Sequence, residues 1–153
     1  DFDDDSDVDL AVLASSGSYV RLLQNDGAGS FAAAPPDLPI NPSSVPATNP
    51  MDVLLVDIDL DGDLDVISAN FCNPAQQEGS VSLFLNDGSG SFAAATGANF
   101  GAAVSEDFPI AVARHPTTVR VVDLNGDGAL DIVTTSGWAD GANSEVAVLL
   151  ANP

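Results

Sequence analysis

Short apolar segments alternate with acidic loops and glycine-containing turns along the chain. Over residues 53–95, apolar and β-branched side chains recur with a period of two in four separate stretches, which is typical of short β-strands. No stretch shows the period of about 3.6 residues that an amphipathic helix would give. The chain is therefore predicted to be all-β, and the predicted strands of this segment are Val53–Asp57, Leu64–Ala69, Ser80–Asn86 and Ser91–Ala95.

The same pattern occurs three times in the chain. The acidic loops of the three copies begin at positions 1, 57 and 123, so the spacing is 56 and then 66 residues. A unit of this size fits four antiparallel strands with loops of variable length. The repeats are predicted at about 1–34, 51–95 and 117–153 within a single domain, 1–153, with loop insertions at 35–50 and 96–116.

The outer two repeats are incomplete. The first begins inside its acidic loop, without a preceding strand, and the third ends where its last turn would begin. In the first and second repeats, the last two strands are joined by Asn-Asp-Gly turns at Asn25–Gly27 and Asn86–Gly88, and such turns favour the positive φ angles of tight hairpins. The sequence therefore predicts three, four and three strands.

Each repeat carries an acidic loop of nine residues with oxygen-bearing side chains at positions 1, 3, 5 and 9. Side chains at alternate positions of a tightly wound loop converge on one point, where a hard cation accepts about six to eight oxygen ligands. Position 7 is alanine in the third loop, so its ligand is expected to be the backbone carbonyl. The predicted metal-binding residues are Asp1, Asp3, Asp5, Asp7 and Asp9 in the first loop, Asp57, Asp59, Asp61, Asp63 and Asp65 in the second, and Asp123, Asn125, Asp127, Ala129 and Asp131 in the third.

The composition of the loops favours Ca²⁺ over other ions. Mg²⁺ prefers few protein ligands and several waters, and transition metals prefer histidine or thiolate, whereas each loop offers three or four carboxylates. An EF-hand would need a glutamate at position 12, which is here Val12, Ser68 or Thr134. A single acidic loop could be a solvated turn, but three in phase, each before a strand, favour binding sites. We expect about three calcium ions, one for each loop.

Position 6 of the loop distinguishes the first repeat from the others. It is occupied by Gly62 and Gly128 in the second and third loops but by Ser6 in the first. Glycine adopts the left-handed backbone conformation freely, whereas serine does so at a cost of about 1 kcal/mol. The first loop is therefore expected to form the weakest site.

Charge and composition limit the possible partners. The chain has 23 Asp and Glu residues against 3 Lys and Arg, and its formal charge of −20 disfavours nucleic acid and anionic membranes and favours cations. No apolar run reaches the length of about 18 residues that a membrane span needs, so membrane insertion is not expected. His115 is the only histidine, and no serine or cysteine pairs with it plausibly, so an enzyme is not expected either.

These motifs resemble the FG-GAP or VCBS-type repeat, a calcium-binding β-propeller blade that is also found in integrin α-subunit heads. The similarity covers nearly the whole chain, through DIDLDGDLDVISAN, DLNGDGALDIVTTSG, the NDGSGSF hairpin and Phe100–Gly101. The resemblance implies blades of four antiparallel strands and one calcium ion in each acidic loop. In the second loop the implied ligands are Asp57, Asp59, Asp61, the carbonyl of Asp63, and Asp65.

Three blades are too few to close a propeller, because closed propellers typically have about four to eight. The open edges are expected to be completed by neighbouring sequence, or by copies of the chain that assemble into a ring or a filament. Strand parity places the acidic loops and the hairpins on one face of the blades and the loops of variable length on the opposite face. We expect a protein or glycan partner on that opposite face, because variable loops on a rigid scaffold commonly carry binding functions.

The function predicted from the sequence is that of a calcium-stabilised extracellular or cell-surface β-propeller scaffold, which mediates adhesion or binds proteins or glycans. One alternative is a structural subunit of an extracellular filament or ring that assembles through blade edges. A propeller-borne hydrolase or lyase ranks last, because every acidic cluster already has a metal role.

Overall fold

The computed structural model describes residues 1–14, 17–40, 49–71, 79–95, 110–112, 115–137 and 144–151. Within these residues the regular elements are all strands, which confirms the all-β prediction. The strands are β1 (Leu10–Ala14), β2 (Tyr19–Asn25), β3 (Phe31–Pro39), β4 (Asn49–Val56), β5 (Asp65–Phe71), β6 (Gly79–Asn86), β7 (Phe92–Ala94), β8 (Ile110–Val112), β9 (Pro116–Val122), β10 (Asp131–Ser136) and β11 (Val146–Leu149). Phe100–Gly101, part of the family resemblance, lies outside the described residues.

The strands form three antiparallel sheets, one for each repeat. Sheet 1 has the order β1-β2-β3, sheet 2 the order β4-β5-β6-β7, and sheet 3 the order β9-β10-β11. Consecutive strands are neighbours in each sheet, as expected where short loops connect antiparallel strands. The sheets are open and resemble propeller blades, in agreement with the fold predicted from the sequence.

The outermost strand of sheet 2 consists of two separate pieces. β7 pairs with Phe84–Asn86 at one end of β6, and β8 pairs with Gly79–Val81 at the other end. In sheet 1 the equivalent strand β3 is continuous over nine residues. The loop insertion predicted at 96–116 is therefore wrong in extent, because residues 110–112 complete the outer strand and the insertion interrupts that strand rather than following it.

The insertion predicted at 35–50 is also shorter than expected. β3 continues to Pro39 and β4 begins at Asn49. Proline has no backbone N–H, so a proline-rich segment is usually assigned to a loop. β3 is the edge strand of sheet 1, and an edge strand tolerates proline because its outward N–H groups need no partner.

Sheet 2 lies between the other two sheets and is covered on both faces. All seven residues of β5 are buried. On one face, Ile67 packs with Val119 and Ile132 of sheet 3 in one apolar cluster. On the other face, Val66 belongs to a second cluster that contains residues of sheet 1. The apolar core therefore lies between the sheets, in two layers, with sheet 2 in the middle.

Hydrogen bonds fix the alignment of neighbouring sheets. The Asp52 carboxylate of β4 accepts hydrogen bonds from the Arg120 guanidinium at 2.8 Å and from the Val119 N–H at 3.0 Å, and so joins sheets 2 and 3. The Ser82 hydroxyl of β6 donates to the carbonyl of Ile40, next to the end of β3, at 2.8 Å. Because a shifted alignment would leave buried polar groups without partners, these bonds favour one arrangement of the stack.

The described part of the chain contains no apolar helix of the length that crosses a bilayer.

Candidate metal sites in the three acidic loops

Each acidic loop lies directly before a strand, at the same place in each repeat. The first precedes β1, the second connects β4 to β5, and the third connects β9 to β10. In the first loop, carboxylate oxygens of Asp1, Asp3 and Asp9 lie within 4.8 Å of one another. In the second loop, the same holds for Asp57, Asp59 and Asp61. The structure thus brings together side chains from alternate loop positions, as one shared ion would require.

The side chain of the aspartate at position 1 accepts hydrogen bonds from backbone N–H groups of its own loop. In the second loop, the two oxygens of Asp57 accept hydrogen bonds from the N–H groups of Asp61 and Gly62, each at 3.0 Å. Asp1 accepts the equivalent bonds in the first loop from Asp5 and Ser6, at 3.1 and 2.9 Å. These bonds curl the backbone. The carboxylates at positions 1 and 3 converge in both loops, together with position 9 in the first loop and position 5 in the second.

Two residues of each loop adopt the left-handed backbone conformation. At position 6, Ser6 has a φ of 77°, and Gly62 and Gly128 have φ of 106° and 91°, so the strained conformation expected of Ser6 is present. Position 4 is also left-handed, a conformation that was not predicted from the sequence and for which Gly126 was the available signal. It is occupied by Asp4, Leu60 and Gly126, with φ of 62°, 63° and 76°. Leucine at such a position is unusual, and the hydrogen bonds of the loop must offset its cost.

The aspartate at position 9 has a structural role that the ligand pattern did not predict. Asp65 is fully buried, and its Oδ2 and Oδ1 atoms accept hydrogen bonds from the N–H groups of Ile58 and Asn86, each at 2.9 Å. The carboxylate therefore ties the start of the loop to the end of β6. Asp9 and Asp131 make the same pair of bonds, to Phe2 and Asn25 and to Leu124 and Ala151 respectively, also at 2.9 Å.

The side chain at position 7 points to the neighbouring hairpin. A Cβ atom placed on Gly88 would lie 2.6 Å from Oδ2 of Asp63, and one on Gly27 would lie 2.6 Å from Oδ2 of Asp7. The acidic loop and the hairpin of a blade thus lie side by side at one end of the sheet, as strand parity requires. The use of the backbone carbonyl at position 7 stays a prediction, and the direction of these side chains is compatible with it.

Among the described residues, one buried carboxylate oxygen of the first loop has no hydrogen-bond partner. Oδ2 of Asp3 accepts a hydrogen bond from the Gln24 amide at 2.6 Å, whereas Oδ1 is buried and has no hydrogen bond among the described residues. A buried anionic oxygen without a donor is costly, and a bound cation would remove that cost. The donor set of the loops is made of carboxylate, amide and carbonyl oxygens, which are the ligands that a hard cation prefers. The residues of the loops therefore fit Ca²⁺.

The loops concentrate negative charge in a small volume. Burial, together with the charges of Asp61 and Asp57, raises the pKa of Asp59. Burial also raises the pKa of Asp63. The next largest causes of this shift are the charges of Asp61 and of Asp4, which belongs to the first loop. The first and second loops are therefore close enough for their charges to repel, and this repulsion disfavours the folded protein unless a cation neutralises it.

The third loop differs at position 3. Asn125 replaces an aspartate there, so the loop offers three carboxylates at the ligand positions instead of four. The Asn125 amide donates to Oδ2 of Asp127 at 2.7 Å, and its carbonyl oxygen accepts the Asp127 N–H at 2.9 Å. An amide oxygen is a weaker ligand than a carboxylate because it carries no net charge, so calcium is expected to bind less tightly here than in the second loop.

Calcium affinity is expected to fall as the pH is lowered from about 7 to about 4. The raised pKa of Asp59 means that protons compete with calcium at a higher pH than they would at an ordinary carboxylate. Titration calorimetry at several pH values measures this effect. Affinity that stays constant down to about pH 5 would contradict it.

The stability of the calcium-free protein should change with pH in the opposite direction to the calcium affinity. A carboxyl whose pKa is higher in the folded state holds its proton longer there, so Asp59, Asp63 and Asp65 stabilise the fold at low pH and lose this contribution as the pH rises through their raised pKa values. The lowered pKa values of Asp26 and Asp87 affect the stability of the fold only at pH values below the ordinary pKa of aspartate. Between about pH 4 and 7, the melting temperature without calcium should therefore decrease.

His115 is placed in an apolar contact. Its ring stacks on that of Phe71, with a distance of 4.4 Å between the ring centroids. Phe71 ends β5 and is itself almost fully buried, at 8% exposed.

A comparison with protein families supports the repeat structure. A family model described as FG-GAP-like repeat matches residues 1–68 and 57–134. Each match begins at the first residue of an acidic loop and ends within the strand that follows the next acidic loop, so all three loops are included. No curated protein and no solved structure gives a significant match to the chain.

Proposed function

Because the chain belongs to the family of FG-GAP-like repeats, we propose that it is a calcium-stabilised β-propeller scaffold that acts outside the cell or at its surface. FG-GAP repeats are typical of extracellular or surface proteins, and the family generally provides scaffolds without enzymatic activity. The observation that carries the calcium part is the convergence of three carboxylates within 4.8 Å in each of the first two loops.

The energetic reason for bound calcium is the repulsion within these loops. Three anionic groups at such distances repel one another, and in the first loop, where Asp9 is buried, water screens the charges less well than at an open surface. The buried Oδ1 atom of Asp3 has no donor among the described residues, so hydrogen bonds do not offset its burial. A divalent cation at each loop would replace repulsion by attraction and hold the start of each blade in place.

A protein or glycan is the partner that we propose for the face opposite the acidic loops. The support is the topology of the sheets. The buried aspartates connect the acidic loops to the hairpins at one end of the sheets, and this end therefore has a structural role. The connections at the other end differ in length from one repeat to the next. Glycan and protein binding arrays, with the acidic loops intact, would test this assignment.

Titration calorimetry tests the calcium sites directly. We expect about three calcium ions per chain, with the third loop binding less tightly than the second. Asp59→Asn removes one carboxylate from the second loop and should weaken one site by at least about tenfold, because a charged ligand becomes neutral. Asp26→Asn is the matched control, since the carboxylate of Asp26 bonds to Ala28 and Ser30 in the hairpin rather than to the loop.

Two results would overturn the proposal. One is the absence of calcium binding by folded protein at millimolar calcium. The other is an equal loss of affinity in the loop and hairpin variants, since this would show that calcium responds to the net charge of the surface rather than to the loops.

A further inference from the structure

The side chain of Asn86 joins two acidic loops. Asn86 ends β6, and its backbone N–H donates to Asp65, at position 9 of the second loop, at 2.9 Å. Its side-chain amide donates to the carbonyl of Leu64, at position 8 of the same loop, at 3.2 Å, and to the carbonyl of Phe2, at position 2 of the first loop, at 2.7 Å. One buried side chain therefore contacts the backbone of both loops.

The backbone of Phe2 continues this connection into the first loop. Its N–H donates to Oδ2 of Asp9 at 2.9 Å, and its carbonyl accepts the hydrogen bond from the Asn86 amide. A path of hydrogen bonds thus joins Asp9 to Asp65, which are the predicted metal ligands at position 9 of their loops. All residues along the path are buried, so these bonds are stronger than they would be in water.

Packing holds the first loop against the hairpin that follows Asn86. The Phe2 ring meets the Phe92 ring edge to face, at 5.9 Å between centroids. A Cβ atom placed on Gly90 would lie 3.3 Å from that of Asp3. Phe2 belongs to the apolar cluster between sheets 1 and 2, so a shift of the first loop would break this packing together with the bond to Asn86.

The third repeat has no side-chain donor at this position. Ala151 is the counterpart of Asn86, because its N–H donates to the position-9 aspartate of its own repeat, Asp131, at 2.9 Å. Ala151 packs against the apolar cluster that contains Ile58, the counterpart of Phe2 in the second loop. Since alanine has no amide, it cannot donate to the carbonyl of Ile58. This path therefore connects the first and second loops but does not continue from the second to the third.

We infer that Asn86 couples the first two calcium sites, so that an ion bound in one loop raises the affinity of the other. The inference rests on the proposed calcium sites. A loop that binds an ion becomes more rigid, and it then holds the Asn86 amide in the position that the other loop requires. Ordering one loop therefore lowers the entropic cost of ordering the other. Such coupling is reciprocal and typically changes affinity by about 5–150-fold.

The charges of the two loops act in the opposite direction. Besides burial and the charge of Asp61, the charge of Asp4 in the first loop raises the pKa of Asp63, so the field of one loop reaches the other. An ion in one loop reduces the negative field that attracts an ion to the other, so charge alone predicts a lower affinity for the second ion. At an ionic strength of about 1 M, charges are screened beyond about 3 Å, and the coupling through Asn86 should then dominate.

Calcium titration in about 1 M salt, followed by nuclear magnetic resonance, measures each site separately. The N–H at position 6 of each loop donates to the aspartate at position 1, so its signal reports the occupancy of that loop. These reporter groups belong to Ser6, Gly62 and Gly128. Asp59→Asn weakens the second site and should thereby raise the dissociation constant of the first about fivefold. The third site should not change.

Asn86→Ala introduces the residue that the third repeat carries. It should abolish the response of the first site to Asp59→Asn, while both loops still bind calcium. Asn25→Ala is the matched control, because the Asn25 side chain makes bonds within its own blade. It donates to the carbonyl of Val8 at 3.1 Å and accepts from the N–H of Gly29 at 3.2 Å. Its loss should leave the response of the first site intact.

Ala151→Asn tests the path by adding a donor instead of removing one. It should make the third site respond to Asp59→Asn, and it removes no hydrogen bond of the parent protein. The inference is overturned by a first site that does not respond to Asp59→Asn, by an equal response in the parent and Asn86→Ala proteins, or by a third site that stays independent in Ala151→Asn. Three independent sites would leave the proposed scaffold function intact, whereas a protein that binds no calcium would contradict both.

Discussion

Exhaustive chelation of calcium is expected to lower the melting temperature by about 20 °C, relative to protein in calcium at about one hundred times the dissociation constant. A ligand at that concentration stabilises the folded state by about 2.7 kcal/mol per site, so three sites contribute about 8 kcal/mol. For a chain of 153 residues, each kcal/mol corresponds to about 2–4 °C. The expected effect is large because bound calcium would be the main source of positive charge in a protein with 3 Lys and Arg residues.

Electrostatics gives a second reason for this result. Three calcium ions, each with two positive charges, would change the formal charge from −20 to −14 and would act where the repulsion is greatest. Differential scanning calorimetry before and after chelation measures the shift, and added calcium should restore the original value. Restoration by sodium chloride of equal ionic strength would show general screening instead of site binding. An unchanged melting curve after chelation would contradict the prediction.

The sequence predicted the parts of the fold that depend on local periodicity. Strand positions in the second repeat followed from alternating apolar residues, and the Asn-Asp-Gly turns located the hairpins because positive φ at Gly27 and Gly88 needs glycine. The repeat also provided its own comparison: Ala129 at position 7 has no side-chain oxygen and so suggests a backbone ligand, which stays a prediction. Repetition thus supplied information that a single copy would not contain.

The parts that the sequence did not predict depend on contacts between distant residues. The division of the outer strand of sheet 2 into β7 and β8 follows from pairing with β6, and three residues are too short to show a period. From the sequence, position 9 was predicted only as a metal ligand, because its bonds to Ile58 and Asn86 exist only once the acidic loop and β6 are in contact. The exposure of Leu124 is likewise a property of the stack, since Phe2 and Ile58 occupy the same position and are buried.

The second large effect is expected from Asp65→Ala, which should destabilise the calcium-free protein by about 4 kcal/mol. Asp65 is fully buried, and alanine would leave the N–H groups of Ile58 and Asn86 without their acceptor. Each buried backbone group that loses its partner costs about 1–3 kcal/mol. Urea unfolding of the calcium-free variant and parent measures the difference, provided that both are folded at the start.

Asp61→Ala separates this structural role from metal binding. Asp61 is exposed, and its carboxylate accepts a hydrogen bond from the Asp63 N–H at 3.0 Å. Without calcium, its removal should cost less than about 1 kcal/mol and also relieves some repulsion in the loop. With calcium, both variants should lose the second site. Their free energies of unfolding should therefore differ strongly without the ion, whereas the additional stability that calcium gives should differ far less between them.

The comparison decides what holds a blade together when no ion is bound. If position 9 were only a ligand, Asp65→Ala and Asp61→Ala would have equal effects in calcium-free protein, and the buried bonds to β6 would contribute nothing. If these bonds stabilise the blade, Asp65→Ala should destabilise the protein both with and without calcium, because Ile58 also packs in the cluster between sheets 2 and 3. The aspartate would then connect the acidic loop to the apolar core, and calcium would reinforce a junction that the backbone already forms.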